Sequence, residues 1–149
     1  MTSGIGSTKP PDNAADGAQR VRDAMVPDPH PLEASATAQE AGEALMRPEV
    51  RAVLVCDDGA FVGVITRKTL VREVVARGRD PRTTTVGEIA EPPNATFESD
   101  TPLADAFAFL EEQDYERVPV VERGRLVGVL SRSTVRRRLA EDSPPPASD

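Results

Sequence analysis

The sequence predicts an α/β fold of the α+β kind, built from two copies of one strand–helix–strand–strand–helix unit packed as a pseudo-twofold pair. Two observations predict it. Sliding the chain against itself by 65 residues aligns Val21–Ala76 with Val86–Glu141 without a gap, and about 14 of the 56 pairs are identical. The physical pattern repeats with the letters: a helical face, an apolar strand, a hairpin and a second helix recur at the same offset.

The first helix of each unit is read from apolar residues at i, i+3, i+4 and i+7, namely Ala38, Ala41, Gly42 and Leu45, then Leu103, Ala106, Phe107 and Leu110. Ser35 and Asp100 stand where an N-cap is wanted, and Pro102 suits a first turn, whose N–H is unpaired in any case. The apolar runs Ala52–Cys56 and Val118–Val121 lack polar alternation, as strands covered on both faces do. Pro119 donates no hydrogen bond, which points to an edge or irregular position. Asp57-Asp58-Gly59 and Glu122-Arg123-Gly124 turn these strands into Phe61–Ile65 and Leu126–Leu130, giving one hairpin per copy. Thr66 and Ser131 then cap a second helix whose buried pairs are Leu70/Val74 and Val135/Leu139. A unit this small leaves one sheet face bare, so the two copies are expected to pack face to face.

Composition bounds the function. At 149 residues the chain holds one ordinary domain or two interdependent halves. We divide it into a disordered tail over 1–19, repeat one over 20–82, repeat two over 83–142 and a disordered tail over 143–149. With four Phe, one Tyr and no Trp, the core must be aliphatic. A formal net charge of -7 argues against nucleic acid as a partner, because that affinity comes from Lys and Arg neutralising phosphates. The single cysteine, Cys56, cannot close an internal disulfide, and no secretory leader or bilayer-length apolar run is present, so a cytoplasmic setting without membrane is expected.

Catalysis is not expected. One His and one Cys cannot supply a Ser-His-Asp, Cys-His or metal-ligand set. His30, between Pro29 and Pro31, reads as a loop residue, Cys56 as core, and Arg136-Arg137-Arg138 as the solvated face of a helix.

With the repeat in place, Val21-Arg22-Asp23-Ala24-Met25, Arg117-Val118-Pro119-Val120-Val121, Gly63-Val64-Ile65-Thr66 and Gly128-Val129-Leu130-Ser131 together resemble the CBS-domain family. The resemblance covers Val21–Glu141 and implies a tandem CBS pair, or Bateman module. Such pairs bind adenosine-containing ligands in the clefts between repeats. It therefore implies a regulatory module with no required cofactor, for which AMP, ADP, ATP or S-adenosylmethionine is the ligand class. It also implies a homodimer, with a partner enzyme or transporter as the alternative role for a ligand-free docking module.

The family signature reads Gly-h-h-Thr/Ser-x-x-Asp, and its Asp can accept two hydrogen bonds from a ribose diol. Thr69 and Thr134 stand at that position here. A neutral hydroxyl contributes about 1 kcal/mol where a charge-assisted bond contributes roughly 1.5–3, so adenylate affinity should fall tenfold or more per site. Three alternatives follow: a weak adenylate site, a ligand without a vicinal diol, or a module that kept only assembly. The candidate ligand residues are Asp23, Pro27, Asp28, Thr66, Thr69, Arg117, Ser131, Arg132 and Thr134. Arg117 directly precedes the second strand, where related members meet phosphate, while Ala52 holds that place in copy one. The favoured cleft is thus Arg117, Ser131 and Thr134, closed by the Asp23–Asp28 loop, whose carboxylates oppose a phosphate. Each of these residues also has a plainer role: Thr66 and Ser131 as helix caps, and Arg67, Arg117 and Arg132 as surface cations.

Overall fold

The structure, a computed structural model, describes residues 19–142. The tails expected over 1–19 and 143–149 lie outside the described residues, except Gln19. Repeat one runs through α1 (Val21–Ala24), β1 (Val26–Pro27), β2 (Leu32–Glu33), α2 (Ala38–Ala44), β3 (Val53–Asp57) and β4 (Ala60–Ile65). It ends in α3 (Arg67–Leu70), which continues as a π-helical turn over Val71–Val75. Repeat two follows as α4 (Val86–Ile89), β5 (Phe97–Glu98), α5 (Leu103–Gln113), β6 (Arg117–Glu122), β7 (Arg125–Ser131) and α6 (Arg132–Asp142).

Each hairpin turns on two residues of positive φ, Asp58 (52°) with Gly59 (89°) and Arg123 (55°) with Gly124 (80°). This is the type I′ geometry whose twist suits a two-residue hairpin. Both hairpins shift register at matched points, Val55/Cys56 and Val120/Val121, which leaves Val62 and Val127 as the extra residues. Pro119 sits one residue before β5 joins β6 at Val120, so the missing N–H faces no strand on that side.

The halves are joined differently from a face-to-face stack. The strands form one sheet in the order β2-β3-β4-β7-β6-β5, with β1 on β7, and β4 meets β7 where Ala60 lies opposite Arg125. Two separate cores remain, one per half. What binds the halves is an exchange of their openings. Val21 and Ala24 of α1 are buried with Leu103, Leu110 and Leu130, while Val86 and Ile89 of α4 are buried with Leu45, Val55 and Ile65. The backbone bonds obey the 65-residue offset: Val21 and Arg22 N–H donate to Thr101 and Ser99, each at 2.9 Å, and Val86 and Gly87 donate to Ala36 and Ala34, at 2.8 and 2.9 Å. The pair is pseudo-twofold because each half completes the other.

Two helix starts differ from expectation. Thr37, not Ser35, caps α2, accepting the Glu40 N–H at 3.1 Å while Glu40 accepts from Thr37 N–H at 2.9 Å. Pro102 is itself the N-cap of α5, rather than a first-turn residue or a neighbour of an Asp100 cap.

Candidate functional site

The exchanged openings pass close over the hairpins, and this creates the two clefts. Gly63 and Gly128 are the points of approach. A β-carbon on Gly63 would lie 2.5 Å from the Glu91 carbonyl oxygen, and one on Gly128 would lie 2.8 Å from that of Val26. Glycine therefore recurs because a backbone crosses there, with Glu91 bridged to Val64 and Val26 paired with Val129. Beyond each crossing the strand ends at the hydroxyl that opens the second helix.

In repeat one this hydroxyl network is complete. Thr69 Oγ1 accepts the Thr66 N–H at 3.0 Å, Thr66 Oγ1 accepts the Thr69 N–H at 3.2 Å, and the two hydroxyls lie 3.0 Å apart. Thr69 donates its proton to Glu91 Oε1 at 3.2 Å, so Thr66 must donate in the mutual bond. The other Glu91 oxygen is paired with Arg72, and Thr69 is fully buried. Every hydroxyl proton in this cleft is used within the chain.

Repeat two lacks the carboxylate, because Val26 occupies the position equivalent to Glu91 and is exposed. Ser131 donates to Thr134 Oγ1 at 2.7 Å and accepts the Thr134 N–H at 3.2 Å, and no acceptor for the Thr134 proton is found among the described residues. Arg117 lies directly opposite Ser131 across the β6–β7 ladder, so their side chains project to one face. Arg117 is exposed and makes no ion pair among the described residues, and the same holds for Arg137, the counterpart of Arg72. The arrangement offers the Arg117 cation and a hydroxyl donor, both without a partner among the described residues, beside a helix N-terminus, which suits an oxygen-rich anion.

The remaining sequence candidates fall elsewhere. Arg132 reaches the C-terminal end of α5, donating to Leu110 O at 3.4 Å and Asp114 Oδ1 at 3.1 Å. Arg67 does the same in repeat one, on Leu45 O and on Arg47 O at 2.8 Å. Their repetition is a packing device that satisfies helix-end carbonyls. Asp23 accepts its own helix's Arg20 N–H at 2.7 Å, so its carboxylate is committed to capping. Pro27 pairs with Gly128 at the mouth of the second cleft, and Asp28 is exposed just beyond it with φ 50°. Glu91, Arg72 and Arg137 were not among the sequence candidates. The signal for them was a mismatch, Val26 against Glu91, beside an identity, Arg72 with Arg137.

Comparison with known proteins identifies the fold. The CBS domain family matches the chain twice, over residues 21–76 and 86–141. Hypoxic response protein 1 of Mycobacterium tuberculosis is 29% identical over 106 residues, covering 70% of this chain and 74% of that protein. Its structure with two coordinated zinc ions superposes with a TM-score of 0.67 at 26% identity, covering 80% of this chain and 98% of the other. CBSX2 in complex with AMP superposes with a TM-score of 0.64 at 27% identity, covering 82% and 96% of the two chains. The CBS domain-containing protein YhcV of Bacillus subtilis is 26% identical over 111 residues, 74% of this chain and 79% of that protein. With both repeats matched and the paired fold in place, this chain belongs to the CBS-domain family as a tandem CBS pair.

Proposed function

We propose that this CBS pair is a non-catalytic regulatory module that takes one adenosyl-type or related anionic ligand per chain, in the cleft of repeat two. The carrying observation is the replacement of Glu91 by Val26 between the clefts: one is filled by the chain's own carboxylate, and the other leaves Arg117 and a hydroxyl proton without a partner among the described residues. Arg117 and Arg137 meet phosphate, and Ser131 and Thr134 meet ribose oxygens. CBSX2, which shares 27% identity and the fold, is a complex with AMP, which supports this ligand class. Zinc is not carried over from hypoxic response protein 1, because no group of three or more His, Cys, Asp or Glu suited to a metal occurs among the described residues. No helix among them is long and apolar enough to cross a membrane. Self-association is the second part of this reading and the means by which ligand occupancy would be transmitted.

Calorimetric titration with AMP, ADP, ATP and S-adenosylmethionine tests the ligand. We expect one site per chain, a raised thermal midpoint, and about tenfold weaker nucleotide binding in Arg117→Ala. Two equivalent sites per chain, or no binding at millimolar ligand, would overturn the reading and favour a ligand-free docking module.

A further inference from the structure

The repeat-one cleft holds a charge network that is balanced only while Glu91 belongs to it. Arg72, in the π-helical turn that continues α3, pairs with Glu91 and lies 3.4 Å from Glu73, and Arg77 shares that same Glu73 at 3.2 Å. Arg72 and Arg77 thus meet Glu73 and Glu91, one carboxylate for each guanidinium. With Glu91 gone, both arginines would share Glu73, and the Thr69 proton would lose its acceptor. The cleft would then carry an unbalanced positive charge beside a hydroxyl donor, the combination an anion requires. Glu91 is held at this place without being locked into it. Its backbone is fixed to Val64 by two hydrogen bonds, of 2.9 and 2.8 Å, whereas the Glu91 and Arg72 side chains are 33% and 47% exposed. The carboxylate stays within reach of its partners, and water reaches the ion pair.

We infer that Glu91 is a tethered competitor: it holds the anion position of the repeat-one cleft against dissolved anions, and removing it creates a second anion site on Arg72 and Thr69. A group tethered at short range acts at an effective concentration on the order of millimolar. A dissolved anion must displace it from both Arg72 and Thr69, so the repeat-one cleft stays empty at concentrations that fill the other. The competitor is supplied across the pair. Glu91 follows α4, the opening of repeat two, and its carboxylate bonds residues of repeat one. The exchange of openings therefore carries an autoinhibitory contact as well as core packing.

This inference deepens the reading above, in which the repeat-two cleft takes the ligand, and the test separates the two. Calorimetric titration with AMP and with ATP compares the full chain with Glu91→Val, Glu91→Gln and the double variant Glu91→Val with Arg72→Ala. Wild type should take one ligand per chain and Glu91→Val two, since Val is the residue repeat two carries at this place. Glu91→Gln, which keeps the side-chain size, should also take a second ligand and guards against misfolding of the valine variant. Circular dichroism melts verify that each variant is folded. Adding Arg72→Ala to Glu91→Val should weaken the second site about tenfold and leave the first within twofold. One ligand per chain in both folded Glu91 variants would overturn the competitor and leave the repeat-two reading standing. A second site indifferent to Arg72→Ala would overturn it as well. A wild type that binds nothing, beside a Glu91→Val chain that binds one ligand through Arg72, would overturn the repeat-two reading and uphold the competitor. No binding by any of these chains would overturn both.

Discussion

Thr69→Asp and Thr134→Asp place the family carboxylate at equivalent positions, yet the structure gives them opposite outcomes. An Asp at 69 would put a second carboxylate where a hydroxyl now donates to Glu91 at 3.2 Å, in a position with no solvent access. Two unit charges about 4 Å apart repel by roughly 4 kcal/mol at an effective dielectric of about 20. Arg72, on the far Glu91 oxygen, offsets part of this, while the lost hydrogen bond adds about 1 kcal/mol. We expect Thr69→Asp to lower stability by about 3 kcal/mol at neutral pH. The like charge raises the folded-state affinity of the carboxylate pair for a proton, so the deficit should shrink as pH falls and one proton is shared. At 134 the facing residue is Val26, and an Asp completes a capping pair with Ser131 at a helix N-terminus. Stability should hold or rise by up to about 1 kcal/mol, with AMP or ATP affinity gaining about 1–2 kcal/mol. Urea unfolding at neutral and mildly acidic pH, with calorimetry, measures both. Equal stability of the two variants at neutral pH would refute the role given to Glu91.

The other predictions concern the scaffold. Gly63→Ala and Gly128→Ala should each cost about 1–3 kcal/mol in thermal or urea unfolding, since the new methyl meets a crossing backbone carbonyl at 2.5 or 2.8 Å. A fragment ending at Arg82 loses Val86 and Ile89 from its core and should show no cooperative thermal transition by circular dichroism. Arg132→Ala should lower the thermal midpoint, since it removes one donor to the Leu110 carbonyl and breaks the Asp114 and Glu116 contacts, while nucleotide affinity measured by calorimetry stays within twofold. Cys56 should react with a thiol reagent only at the rate of unfolding, because it is buried and its thiol is held protonated.

The fold was legible because its signals are local and doubled. Helical spacing at Ala38–Leu45, the Asp58-Gly59 and Arg123-Gly124 turns, and the caps Thr66 and Ser131 all lie within a few residues of what they determine. The segment exchange was not legible, because Val21 shows an apolar residue at a helix start without showing which half will bury it. Thr37 displaced Ser35 as the cap because Glu40 stands three residues beyond it and closes the reciprocal pair. At the candidate site, the motif marked Thr66/Thr69 and Ser131/Thr134, and the structure hydrogen-bonds each pair. Arg132 drew attention for the same reason and proved to hold a helix end, since repetition marks packing as readily as ligand contact. Glu91 matches no motif, and its place beside Thr69 depends on a contact 22 residues away.

The exchanged openings bear also on how the two clefts came to differ. Were two identical, separate halves to exchange openings in this way, every substitution would be written into both clefts at once. Joining the halves into one polypeptide removes that obligation. Val26 and Glu91 occupy the same geometric position and yet are separate codons, so one cleft can be sealed with a carboxylate while the other stays open. Covalent duplication thus turns a symmetric receptor into one whose two halves can be selected for different tasks.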